Sequence, residues 1–225
     1  MKRIISAMFY QDYLDALLQG KRADCGRRVQ QLLDQNIEIK NLYTDLFQKS
    51  LYEVGRLWEL NRISVAREHL VTAITEGLLG LVYPRLFDSH RPPASRKVVI
   101  SCAANEYHQI GGKMVADVFE MNGWESHFLG ANTPIDEMLT HISDTTPDLV
   151  GLSLSVYFNL ASLKKGFEAI RADFPNLDIL VGGQAFQWGA TDFLKRYPGT
   201  HYVASIEALE DQIASTTPGT GHATD

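Results

Sequence analysis

The 225-residue chain has little cysteine, no long basic run and no long apolar segment. Its two cysteines, Cys25 and Cys102, form no CxxC pair. That excludes a disulfide framework and a zinc knuckle, and fits a reducing cytoplasm. The net charge is −6, and no basic cluster exceeds Lys21-Arg22 or Arg27-Arg28. A nucleic-acid surface needs a basic stripe, so direct nucleic-acid binding is not expected. No stretch approaches the ~18 apolar residues of a membrane helix. The apolar N-terminus is interrupted at Gln11, Asp12 and Asp15, too early for a signal-peptide core. Neither GxxxxGKS nor GxxxxGKT occurs, nor GxSxG, nor HExxH, and Gly182-Gly183 lacks GxGxxG spacing. A P-loop, a hydrolase elbow, a zincin and a dinucleotide site are thereby excluded. The composition is that of a soluble globular protein, 45% apolar and 21% charged.

From residue 4 to 87 the only proline is Pro84, and apolar residues recur at three and four. Helices are expected over about 4–19, 24–35, 39–58 and from Ser64, a good N-cap, onward. The third carries an apolar stripe from Ile39 to Trp58 on one face. Short connections imply an up-and-down four-helix bundle. Trp58 ends the third helix, and Glu68 and His69 begin the fourth, so all three belong to one end of the bundle. His69 is expected on the apolar stripe, facing inward or toward whatever covers that end. Taken locally, Trp58 reads as core and His69 as a satisfied buried histidine. Gly77 and Gly80 cost helix propensity and suggest a close approach by another helix or a ligand. Residues 1–88 form this first domain. A polar, proline-rich linker follows over 89–96.

The second half alternates. Strands are expected at 97–102, 125–129, 148–152, 178–181 and 201–203, with helices at 110–122, 135–143, 160–172, 188–196 and 205–214. That pattern means βαβ units in a doubly wound parallel sheet, an α/β domain over 97–214. Residues 215–225 are small and polar and read as a disordered tail. Ligands bind at the carboxyl ends of the strands in such sheets. There the sequence places Asn105-Glu106-Tyr107-His108-Gln109-Ile110-Gly111-Gly112, then Ser153-Leu154-Ser155, then Gly182-Gly183. His108 is the one good transition-metal ligand in its loop. Glu106 is placed to accept the N–H of its other ring nitrogen. His90, His127, His141 and His201 show no constellation.

Glu106-x-His108-x-x-Gly111, Ser153 after a 41-residue gap, and Gly182-Gly183 after Ser155 and a 26-residue gap resemble the cobalamin-binding domain. The usual pattern there is Asp-x-His-x-x-Gly, Ser-x-Leu and Gly-Gly. Glu106 keeps the carboxylate with a longer reach, while Ser155 stands where leucine is usual. The resemblance implies His108 on the lower face of cobalt, and a nucleotide tail between Ser153, Ser155 and Gly182-Gly183. Tyr107, Gln109, Ile110 and Gly111 complete the cofactor loop. It also implies that residues 1–87 cap the upper face, over a flavodoxin-like Rossmann domain.

Trp58, nine intervening residues and Glu68-His69 resemble a motif of light-sensing cobalamin domains of the CarH and LitR type, to which AerR-like antirepressors are related. There these residues enclose a 5′-deoxyadenosyl group. The resemblance implies a non-enzymatic adenosylcobalamin light sensor, signalling through a protein partner such as a transcription regulator or as a homo-oligomer, with no catalytic residue and no membrane. Such photoreceptors usually carry a helix-turn-helix domain in front, whereas this chain begins at the bundle. Some have histidine directly after the tryptophan; here it is Glu59. A corrinoid methyl carrier and a heme-type tetrapyrrole module are the alternatives. The bulky Trp58, Glu68 and His69 argue against the first. A tail site that heme does not need argues against the second.

Overall fold

The computed structural model describes residues 5–87, 95–189 and 191–216. The chain divides into two compact units, Met1–Ser89 and His90–Asp225. Most of the expected linker, and the tail beyond residue 216, lie outside the described residues.

The first unit is helical. Helix α1 (Ala7–Leu18) starts at Ser6, whose Oγ accepts the Phe9 N–H at 3.2 Å. Helix α2 spans Arg22–Asp34. Helix α3 (Ile39–Leu42) passes through a π-helical turn, Tyr43–Gln48, into α4 (Lys49–Glu59). Helix α5 (Val65–Leu86) starts at Ser64, whose Oγ accepts the Arg67 N–H at 3.2 Å. The π turn is a departure from the single regular stripe that the spacing predicts. It widens the helix locally and seats Tyr43 and Phe47, both fully buried, with ring centroids 6.1 Å apart. Tyr13, Leu17, Val29, Leu42, Leu46, Val54, Val71, Leu79 and Val82 complete a dry core. A Cβ on Gly77 would meet the Arg22 guanidinium at 2.9 Å, so this glycine lets Arg22 lie against α5; Gly80 has nothing within 4 Å.

The second unit is a parallel sheet of β1 (Lys97–Cys102), β2 (Glu125–Gly130), β3 (Leu149–Ser153), β4 (Asp178–Gly182) and β5 (Thr200–Tyr202), ordered β2-β1-β3-β4-β5. This is the doubly wound order whose switch point lies between β1 and β3. Helices α6 (Ile110–Met121), α7 (Ile135–Thr145), α8 (Leu160–Asp173) and α9 (Ile206–Thr216) accompany it. On one face Val99, Val150, Leu152, Ile179 and Val181 pack with Ile142, Leu163, Phe167 and Phe193. The alternate residues Val98, Ile100 and Leu180 are buried as well, so both faces are covered.

Two expectations are corrected. The helix expected at 188–196 is replaced by two 3-10 turns, Gln184–Trp188 and Asp192–Arg196. Gly189, at φ +95°, takes a left-handed conformation between them that no α-helix continues through. Helix α9 runs to Thr216, so Ser215 and Thr216 are helical and not part of a tail. Among the described residues no helix is long and apolar enough to cross a membrane.

Candidate functional site

Strand β1 ends at Cys102, and the loop to α6 bends at Asn105, which adopts φ +66°. Asparagine tolerates this left-handed conformation better than most residues. The loop is tied to its neighbours by polar side chains. Asn105 N–H donates to Asn132 Oδ1 at 2.9 Å, and Asn132 N–H donates to the Glu106 carbonyl at 3.0 Å. Asn159 Nδ2 donates to the Asn105 carbonyl at 3.1 Å, and Asn105 Nδ2 to Ser162 Oγ at 3.1 Å. Loops after β1, β2 and β3 are thus joined.

Glu106 is fully buried at the centre of this junction. Its Oε1 accepts from His108 N–H at 3.0 Å and lies 2.6 Å from His108 Nδ1. Its Oε2 accepts from the Ser155 and Val156 N–H groups at 3.0 and 2.9 Å, with Asn159 Nδ2 at 3.4 Å. Burial pushes the Glu106 carboxyl up, but the hydrogen bonds from His108 and Val156 outweigh it and hold the group down at about 2. An ionised carboxylate only accepts, so it fixes the proton of His108 on Nδ1. Nε2 is then the ring nitrogen with the chemistry to ligate a metal. The imidazole side chain is 53% exposed. A carboxylate held against one ring nitrogen is the usual companion of a metal-ligating histidine.

Around it, Tyr107 is exposed, Gln109 is half-buried and Ile110 is buried as the first residue of α6. Gly111 has open space where a Cβ would stand. A Cβ at Gly112 would meet the Phe128 ring at 3.1 Å and Ser153 Cβ at 3.6 Å. Ser153 pairs in register with Cys102 on one side and Gly182 on the other. Gly183, at φ +119°, passes so close to Leu154 that a Cβ would lie 2.2 Å from its carbonyl oxygen. Packing between β4 and the β3 loop alone therefore requires glycine there. Ser155 contributes its backbone N–H to Glu106.

In the first unit, α4 closes with Asn61 in the left-handed region and Asn61 N–H on the Trp58 carbonyl at 2.8 Å. Trp58 is 47% exposed and is not core. Glu68 Oε1 accepts from Thr72 Oγ1 at 2.8 Å, and Glu68 Oε2 lies 2.5 Å from His69 Nδ1. His69 does not face into the bundle, since 74% of its side chain is exposed. Two residues before buried Val71, it lies roughly 200° around the helix from it at about 100° per residue.

The sequence also places the loop Gly130-Ala131-Asn132-Thr133-Pro134 at this edge, and Asn132 is the residue of it that joins the site; Val156 and Asn159 escaped the sequence reading. Asn159 carried a signal, standing immediately before α8 where a capping side chain is expected. It makes no side-chain cap there and turns to Glu106 instead. His127 and His141 also come together, with Nδ1 of the first 3.1 Å from Nε2 of the second.

Residues 96–211 match a family model described as a B12 binding domain, and residues 10–83 match a second model of the same description. The HTH-type transcriptional repressor CarA of Myxococcus xanthus is 32% identical over 156 residues, which are 66% of this chain and 50% of that protein. The repressor CarH of the same organism is 24% identical over 180 residues, 78% of this chain and 58% of that protein. The chain thus spans little more than half the length of these relatives. The solved monomethylamine corrinoid protein of Methanosarcina barkeri shares the fold, with a TM-score of 0.79 at 13% identity, covering 92% of this chain and 98% of that one.

Proposed function

The chain belongs to the B12-binding family, and from that premise we propose that it is a light-responsive regulator that holds 5′-deoxyadenosylcobalamin with His108 on cobalt. The carrying observation is the fully buried Glu106 carboxylate held against His108 Nδ1 at 2.6 Å, on a ring whose side chain is 53% exposed. The open space at Gly111 and the exposed His108 ring fit a large flat ligand approaching this edge. Ser153, Ser155 and the Gly182-Gly183 pair would hold its nucleotide tail, and Tyr107, Gln109 and Ile110 would border the ring.

Bound cobalamin supplies a cobalt–carbon bond that light breaks. The protein supplies binding, orientation and a second state. Trp58, Glu68 and His69 would enclose the adenosyl group, Trp58 by stacking and Glu68 by accepting from ribose hydroxyls. Support for this comes from Trp58, a large aromatic left half-exposed near the end of α4, and from the Glu68–His69 pair in the first turns of α5. Loss of the group these residues hold would change the state of the helical unit, a two-state element biased by a ligand. The signal would pass to a protein partner or a second copy of the chain, and no reaction is catalysed.

The test loads the chain with adenosylcobalamin in the dark and follows near-ultraviolet circular dichroism of the protein through illumination, since free cofactor also photolyses. A light-dependent protein change with adenosylcobalamin, smaller with methylcobalamin, is expected. An unchanged protein signal, together with methyl turnover in the presence of a methyl donor protein, would replace this reading with a corrinoid carrier.

A further inference from the structure

Strand β2 is an edge strand, and α7 follows it. His127 on β2 and His141 on α7 stand 14 residues apart, and their rings meet at 5.2 Å between centroids. Neither belongs to the loop that carries His108. His127 Nε2 lies 2.9 Å from Glu125 Oε1, and the hydrogen bond from His127 holds that carboxyl below its ordinary range, with Lys97 adding to the effect. A carboxylate acceptor places the His127 proton on Nε2. Nδ1 therefore carries a lone pair, and it faces His141 Nε2 at 3.1 Å.

We propose that His127 and His141 form a two-histidine site for a divalent transition metal ion such as Zn²⁺, Ni²⁺ or Cu²⁺, backed by Glu125. Imidazole nitrogens sit about 2.0–2.1 Å from such ions. Two of them on one ion at 90° to 109° are then roughly 2.9–3.4 Å apart, which brackets the observed 3.1 Å. The nitrogen spacing already suits chelation, and rotation of the two rings completes it. His141 needs only to carry its proton on Nδ1, so both rings bind as neutral ligands. The carboxylate on the far nitrogen of His127 fixes its tautomer and raises its basicity. Among the described residues no group of three or more histidines, cysteines or acids gathers around a common point. The protein thus supplies two ligands and water the rest. The His127 side chain is 31% exposed and His141 half-buried, which leaves water access. Imidazole pairs of this kind suit Zn, Ni and Cu and not Mg or Ca.

The test titrates the metal-free full chain with Zn²⁺ by calorimetry and with Cu²⁺ by electron paramagnetic resonance, which reads nitrogen coupling. Wild type should take up an ion that His127→Asn and His141→Gln each weaken at least tenfold. Glu125→Gln should weaken it about tenfold, as outer hydrogen-bond partners do. His108→Ala should keep that ion. The ion should also raise the melting temperature of wild type and not that of the His127→Asn/His141→Gln double variant. No uptake by wild type, or uptake unchanged in the double variant, overturns the proposal.

Discussion

The side-chain amide of Asn159 reaches from the start of α8 to the carbonyl of Asn105 at 3.1 Å, while standing 3.4 Å from Glu106 Oε2. A residue on the β3 side of the switch point thereby braces the loop that ends β1. Ligand geometry at His108 depends on both loops together.

Removing the imidazole is the severest change. His108→Ala should abolish or greatly weaken cobalamin binding, or leave a base-on or water-ligated absorption spectrum. Glu106→Gln should cost about tenfold in affinity, since it keeps shape but loses the anion. Asn159→Ala should cost less than Glu106→Gln, because the Ser155, Val156 and His108 N–H groups still hold the carboxylate. Wild-type affinity and spectrum in His108→Ala would refute cobalt ligation.

Upper-ligand preference is expected to reside in Trp58. Dark binding of adenosylcobalamin should exceed that of methylcobalamin in wild type, and Trp58→Ala should reduce the difference. Equal binding of both by wild type, unchanged by the substitution, would mean that Trp58 selects nothing.

The acid limb of stability should follow Glu106. A carboxyl held down at about 2 in the fold, against about 4.3 in the unfolded chain, stabilises the protein above the unfolded value. That contribution is lost as pH falls through the folded value. Urea unfolding of wild type should therefore weaken from about pH 5 down to pH 2. Glu106→Gln should flatten that slope while lowering stability at neutral pH. A parallel slope in both proteins would assign the acid limb elsewhere.

On the proposed reading, His69 is the candidate to replace the group lost on illumination, since Glu59 and not a histidine follows Trp58. Its ring is exposed and tied to Glu68, so the expected product is water-ligated cobalamin or a slow His69 adduct. The absorption spectrum of illuminated His69→Ala separates the two. A rapid bis-histidine spectrum persisting in that variant would contradict the assignment, as would salt-dependent binding of this chain to specific DNA.

In the sheet domain, Phe167 is fully buried and touches Phe193 and Tyr197 edge-on or tilted. Phe167→Ala should cost about 3–5 kcal/mol in equilibrium unfolding.

The fold was legible where periodicity alone decides it. The short apolar runs at 97–102 and 178–181 and the helical spacing of 160–172 needed no tertiary information. The segment 188–196 misled because Phe193 and Leu194 are apolar at plausible helical positions, and a single glycine at positive φ overrides them. The π turn was invisible because one extra residue hardly disturbs an apolar pattern that already spans three and four. His69 was misplaced because apolar neighbours on both sides blur which stripe is buried. Glu106 and His108 were readable because they lie two apart in one loop. Asn159 and the His127–His141 pair were not, because their partners are 53, 54 and 14 residues away in sequence. Only the crossover topology brings those together.

The two cysteines fall one to each compact unit, Cys25 among the bundle helices and Cys102 at the end of β1, and both are buried. Burial pushes the first thiol up to about 11 and the second up to about 12, so neither is a nucleophile while its surroundings stay closed. Cys102 also donates weakly to the His108 carbonyl at 3.8 Å, directly beneath the ligand loop. Each thiol is thus a native clock on its own half of the molecule. The rate at which a thiol reagent modifies Cys25 counts openings of the bundle, and the rate at Cys102 counts openings of the sheet edge. Two single-cysteine variants would time the halves separately, with no label added, in darkness and under light.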